Sequence, residues 1–126
     1  MSNQTAPRRI QRRRTKGWRA PEGAVYVGRP SVWGNPYRVE RVGKTTWHVM
    51  HGSWLCQTFR SRTGIEARDY AVQRLNRLLF DHRDPWGGPE RIRRELAGRD
   101  LMCWCPEAQP CHADVLLAIA NSEEAS

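Results

Sequence analysis

Long apolar runs are absent: nothing in the 126 residues reaches the roughly 18 consecutive apolar residues that a membrane-spanning helix needs. The amino-terminal stretch is charged but has no apolar segment of the kind a secretory signal carries. Acidic residues are missing from residues 1–16, which hold six of the 21 basic residues and so account for +6 of the net charge of +8. Cysteine is sparse, with four in the chain; they could form two disulfides in an oxidising compartment but stay reduced in the cytosol. These absences set the expectations of a cytoplasmic location, reduced thiols and no membrane partner. Phenylalanine is also scarce, two residues against six tryptophans, so large flat rings are available both for a core and for stacking on a ligand ring.

Length and composition fit one domain with a modest core. Residues 1–16 are polar and Arg-rich, with Arg8, Arg9, Arg12, Arg13, Arg14 and Lys16 and no apolar period. They read as a disordered arm, either one that contacts DNA or RNA through phosphates or one that is merely solvated. Residues 24–28 read as a short strand. The loop after it, 28–37, is stiffened by Pro30 and Pro36 and freed at Gly28 and Gly34. It offers a cation, a hydroxyl, an indole and an amide in Arg29, Ser31, Trp33 and Asn35. That mixture suits a polar ring with an anionic group attached, such as a nucleotide; the same residues also suit a rigid loop over one end of a core.

Alternating and β-rich runs over 38–42, 45–50 and 53–59 predict a hairpin or small meander, with His48, His51 and Cys56 as ordinary members of it. Apolar residues at Ile65, Tyr70, Ala71, Leu75, Leu78 and Leu79 predict a helix over about 65–82, with Arg68, Arg74 and Arg77 off its buried stripe and solvated. A second helix is expected over about 90–97, started by Pro89 and ended by Gly98. Residues 101–105 read as a buried strand, and Pro110 as a helix first turn that also holds Cys111 and His112. The architecture expected is a small α/β domain over 17–121, with a short sheet of at least two parallel strands, a hairpin and three helices. The basic arm precedes it and a polar tail, 122–126, follows. If the first and last strands are parallel, the loops after them meet at the carboxyl edge of the sheet, where open α/β sheets bind ligands.

Cys103, Cys105, Cys111 and His112 fall within ten residues at the last strand-to-helix junction. Three thiolates and an imidazole form a known zinc set, although an adjacent Cys-His pair is an unusual one. Alternatively Cys111, at a helix start, is a nucleophile, with His112 as its base or as a binding residue, or the same turn holds a ligand phosphate. In a third reading Cys103 and Cys105 only pack. Asp114 either accepts a hydrogen bond from His112 or substrate, or is a first-turn acid favoured by the helix dipole.

The Gly-Arg-Pro…Trp-Gly-Asn-Pro loop, residues 28–36, and the Cys-Trp-Cys…Cys-His segment, residues 103–112, together resemble the family catalogued as domain of unknown function 4326. The resemblance covers about residues 17–121 and implies a bacterial or phage protein in which both segments belong to one unit; it implies no reaction. The residues themselves support two functional expectations. One is a nucleotide-, nucleoside- or nucleic-acid-binding domain acting as a thiol-dependent transferase or hydrolase. Cys111, His112 and Asp114 would then serve catalysis, while Arg29, Ser31, Trp33, Asn35 and Cys105 hold substrate. The other is a non-catalytic nucleic-acid-binding protein stabilised by zinc. Neither expectation fixes an oligomeric state.

Overall fold

The centre of the fold is a three-residue strand, Leu101–Cys103, buried at every position. In the computed structural model, which describes residues 6–122, it lies between two parallel neighbours. In chain order the elements are β1 (Arg9–Gln11), β2 (Val25–Tyr26), β3 (Tyr37–Arg41), β4 (Thr46–His51), β5 (Trp54–Arg60), α1 (Ile65–Phe80), α2 (Gly88–Leu96), β6 (Leu101–Cys103) and α3 (His112–Ala120). The parallel sheet has the order β1-β6-β2, and a separate antiparallel meander has the order β3-β4-β5. A continuous apolar strand such as Leu101-Met102-Cys103 suits the middle of a parallel sheet, where both faces are covered.

Helix α1 joins the two sheets. Ala67, Ala71, Leu75 and Leu79 form one buried i, i+4 row along it. The two alanines pack with Tyr37, Trp47 and Val49 of the meander. The two leucines pack with Trp86, Ile92, Leu96, Leu101 and Leu116 around the parallel sheet. Small residues on the first half of the row let the helix axis approach the meander, and large ones on the second half fill the wider space beyond. The helix starts at Gly64, whose φ is +75° and where a Cβ would sit 2.8 Å from the Trp47 ring. Only glycine meets both conditions. Trp86 is completely buried, and its Nε1 donates to the carbonyl oxygen of Val32 at 2.9 Å. A buried indole of this size contributes about 4–6 kcal/mol of apolar burial as an upper figure.

The α/β class, the parallel pair, the meander and three helices agree with the sequence expectations. The basic stretch differs over part of its length. Instead of a free arm throughout 1–16, Arg9–Gln11 form a strand in register with Leu101–Cys103. Strand pairing uses backbone groups, so a polar side-chain sequence hides it. The expected boundary at residue 17 therefore falls too late. Residues 1–5 of the arm and 123–126 of the expected polar tail lie outside the described residues. The last helix also begins later than expected: Cys111 is its N-cap, in an extended conformation, and Pro110 precedes it.

Candidate functional site: a three-cysteine cavity at the sheet edge

Strands β2 and β6 are parallel, pairing Val25 with Leu101 and Tyr26 with Met102. The segments that follow them leave the same edge of the sheet. A cavity of about 280 Å³ opens there. The loop after β2 contributes Arg29 and Asn35, and the segment after β6 contributes Trp104, Cys105, Cys111 and His112. Helix α1 supplies Arg68, and Tyr26 and Tyr37 add two rings.

The loop after β2 is braced internally. Arg29 Nη1 donates to the carbonyl oxygen of Asn35 at 3.1 Å, and Tyr26 Oη donates to the carbonyl oxygen of Arg29 at 2.6 Å. At Gly34 a Cβ would meet the Arg29 side chain at 2.8 Å, so the missing side chain is what lets Arg29 fold back across the loop. Buried Asn35 accepts from the Tyr37 backbone N–H at 2.9 Å and donates to the Ala71 carbonyl at 3.4 Å, tying loop, meander and α1 together.

The three cysteine sulfurs lie within 4.8 Å of one another. Cys103 Sγ and Cys111 Sγ are 3.2 Å apart and both residues are buried; Cys105 is half-buried. The sulfur of Cys111 also accepts the Ala113 backbone N–H at 3.5 Å. His112 is buried, and its Nε2–H donates to the carbonyl oxygen of Val27 at 2.7 Å, which leaves Nδ1 on the side of Cys111 Sγ, 3.6 Å away. Burial is the main influence holding the imidazole below its usual pKa, so the ring is neutral.

Three thiols this close share a negative charge unequally. The neighbouring Cys103 and Cys111 thiols favour the charged form of Cys105, with the Arg68 charge adding to them, and its pKa is pushed down to about 2. The other two thiols move the opposite way: Cys103 rises to about 11, chiefly through Cys105, and Cys111 is pushed up chiefly through Cys103. Cys105 is also the least buried of the three cysteines lining the cavity. Cys111, the nucleophile expected from the sequence, is 2% exposed and caps α3.

Arg29, Asn35, Cys103, Cys105, Cys111 and His112 are thus brought together as the spacing suggested. Ser31, Trp33 and Asp114 are not among the cavity's lining residues. Trp33 is 5% exposed and packs against Trp86 at 6.0 Å between ring centroids, so it belongs to the core. The Ser31 hydroxyl accepts the backbone N–H of Trp33 at 3.2 Å and shapes the loop. Asp114 pairs with Arg9 at 3.1 Å. The clearest residue that sequence reasoning missed is Arg68, expected to be solvated. It lines the cavity, its Nε is buried, and among the described residues that atom has no hydrogen-bond partner. Its position one residue after Ala67, on a helix flank, was the only signal. Trp104 is the second, 38% exposed beside the cavity.

The family model described as Domain of unknown function (DUF4326) matches residues 10–122. The chain belongs to this family. The match includes both the loop of residues 28–36 and the cysteine segment, and it begins within β1, in keeping with that strand's place in the sheet. Comparison with curated proteins and with solved structures finds no match. The family description carries no activity, so any functional reading rests on the cavity itself. Among the described residues no helix is long and apolar enough to cross a membrane.

Proposed function

We propose that the cavity binds an anionic, nucleotide-like ligand and presents the Cys105 sulfur to it, as in a thiol-dependent transferase or hydrolase. The observation that carries this reading is the buried Arg68 Nε without a partner, lining the same cavity as the low-pKa Cys105 sulfur. A buried donor without an acceptor is costly, and a ligand phosphate or carboxylate would satisfy it with a charge-assisted bond. Arg29 supplies a second cation, and Tyr26 places a ring at the rim. In the chemical step, the Cys105 sulfur attacks an electrophilic carbon or phosphorus of the ligand. A sulfur bond forms as the bond to the leaving group breaks, and water or an acceptor then releases the transferred group and restores the thiolate. The neighbouring thiols of Cys103 and Cys111, within 4.8 Å, favour the anion on Cys105. Neutral His112, bonded to Val27, positions the start of α3.

A second reading is favoured by the proximity of the three sulfurs, which can hold a metal ion. Zinc fits the donor set: three thiolates with a fourth position facing a cavity are an accepted open arrangement. Tetrahedral zinc with Zn–S near 2.3 Å separates sulfurs by about 3.8 Å, so Cys103 and Cys111 would move apart from their 3.2 Å contact. His112 does not belong to the mutually close group, so the donor set is three cysteines rather than three cysteines and a histidine. In this reading zinc holds the site together, and nucleic-acid binding is not catalytic.

Elemental analysis of protein purified without a metal-affinity column, paired with iodoacetamide labelling, separates the two. The thiol reading expects no stoichiometric zinc, rapid labelling at Cys105, and protection of Cys105 by a nucleoside mono- or diphosphate. Near one zinc per chain, lost together with folding in Cys103→Ser, establishes the second reading and removes the free nucleophile. Labelling at Cys105 that no nucleotide slows removes the ligand class.

A further inference from the structure

Strand β1 is parallel to β6, with Gln11 opposite Cys103. Its chain therefore leaves the sheet at the same edge as Trp104 and the cavity. The Arg12 backbone N–H donates to the Cys103 carbonyl at 2.6 Å, which extends the pairing one step further and fixes where the basic segment emerges. The Arg12 guanidinium then lies over both Tyr26, 5.0 Å from the ring centroid, and Trp104, at 5.1 Å. Arg14 covers Trp104 more closely, at 4.4 Å. Tyr26 and Trp104 are themselves cavity residues. The basic stretch is thus joined to the rim of the cavity by backbone pairing and by three guanidinium–ring contacts.

We infer that this rim is the track of a single-stranded nucleic acid whose terminal nucleotide occupies the cavity. The inference rests on the reading above, that the cavity takes a nucleotide, and names the substrate class as a strand end rather than a free nucleotide. Single-strand sites combine cations that follow the backbone with aromatic faces on which bases stack. Here Arg12 and Arg14, which are far from Trp104 in sequence, are interleaved in space with the Tyr26 and Trp104 rings. With no strand present the guanidiniums lie against the rings. Strand phosphates offer Arg12 and Arg14 charged partners, and their departure from Trp104 opens its face to the base next to the end. A duplex fits less well, because its stacked bases present no free face to Trp104.

The test is fluorescence anisotropy with labelled ten-nucleotide single-stranded DNA and RNA, the corresponding duplexes and polyglutamate, at several salt concentrations. The single strands are expected to bind about tenfold or more tightly than duplex or polyglutamate. Trp104→Ala should weaken single-strand binding about tenfold, and Trp104→Phe, which keeps a ring, should restore most of it. Arg12→Ala with Arg14→Ala should lower the salt slope by about 1.4, two phosphate contacts at about 0.7 each. Equal binding of duplex or polyglutamate overturns the inference, as does unchanged affinity in Trp104→Ala. Protection of Cys105 from alkylation separates this inference from the reading it rests on. A nucleotide that protects Cys105 when no strand does leaves the cavity reading standing and removes the strand. Strands that bind with the stated Trp104 dependence, while neither they nor nucleotides protect Cys105, overturn the placement of the end in the cavity.

Discussion

His112 Nε2 and the Val27 carbonyl oxygen, 85 residues apart in sequence, meet at 2.7 Å. This bond joins the first turn of α3 to the end of β2, and so joins the two segments that frame the cavity. His112→Ala leaves the Val27 carbonyl without that donor and opens space beside Cys111. The expected cost is about 1–3 kcal/mol, read as a lower urea midpoint at an unchanged m-value. An unchanged midpoint would show that the two segments are held by packing alone.

The pH dependence of alkylation distinguishes Cys105 from an ordinary thiol. A free thiol, with a pKa near 8.5, gains roughly tenfold in thiolate for each pH unit on approaching that value. Cys105, pushed down to about 2, is already ionised throughout that range. In metal-free protein its labelling rate should stay flat between about pH 5 and 8, and Cys105→Ser should abolish the flat component. A rate that climbs steadily with pH would mean that its neighbours do not hold the charge on this sulfur.

Arg68→Met should separate binding from stability. The substitution removes a buried Nε that has no partner among the described residues together with a guanidinium–ring contact to Trp47 at 5.7 Å, so urea stability should change by no more than about 1 kcal/mol. Binding of the anionic ligand should fall about 10- to 150-fold, the loss of a charge-assisted bond of about 1.5–3 kcal/mol. Intact nucleotide binding in this variant would remove Arg68 from the site.

Trp33 and Trp104, each following a strand of the parallel sheet, should behave oppositely. Trp33→Ala empties a core position against Trp86 and should cost about 3–5 kcal/mol in thermal or urea unfolding. Trp104→Ala, at a partly exposed rim position, should cost under about 1 kcal/mol.

That contrast shows what was legible in the sequence. The meeting of the loop of residues 28–37 with the cysteine segment was readable, because Gly- and Pro-rich turns after short apolar strands imply loops at one sheet edge. Which tryptophan faces out was not: Trp33 and Trp104 both follow a strand, and packing against Trp86 decides between them. Arg68 escaped because helical periodicity assigns a polar residue off the apolar stripe to solvent, and only the tertiary approach of α1 to the sheet edge covers it. Strand β1 escaped because its side chains, Arg-Ile-Gln, announce no core, while its pairing is made by peptide groups that every sequence carries. Which of the three cysteines lies nearest the surface was not legible either, because spacing does not encode the burial of Cys103 and Cys111 against the only partly buried Cys105.

The order β1-β6-β2 also sets a timetable. Strands β1 and β2 are synthesised early yet do not pair with each other; both need Leu101–Cys103, and Arg9 waits 92 residues for its partner. The meander and α1 close over short loops and can form while the chain is still growing. The wall that the meander and α1 lend to the cavity can therefore stand early, but its cysteines and its charged rim are absent from a nascent or carboxy-terminally shortened chain and arrive only when the last strand slides between the first two.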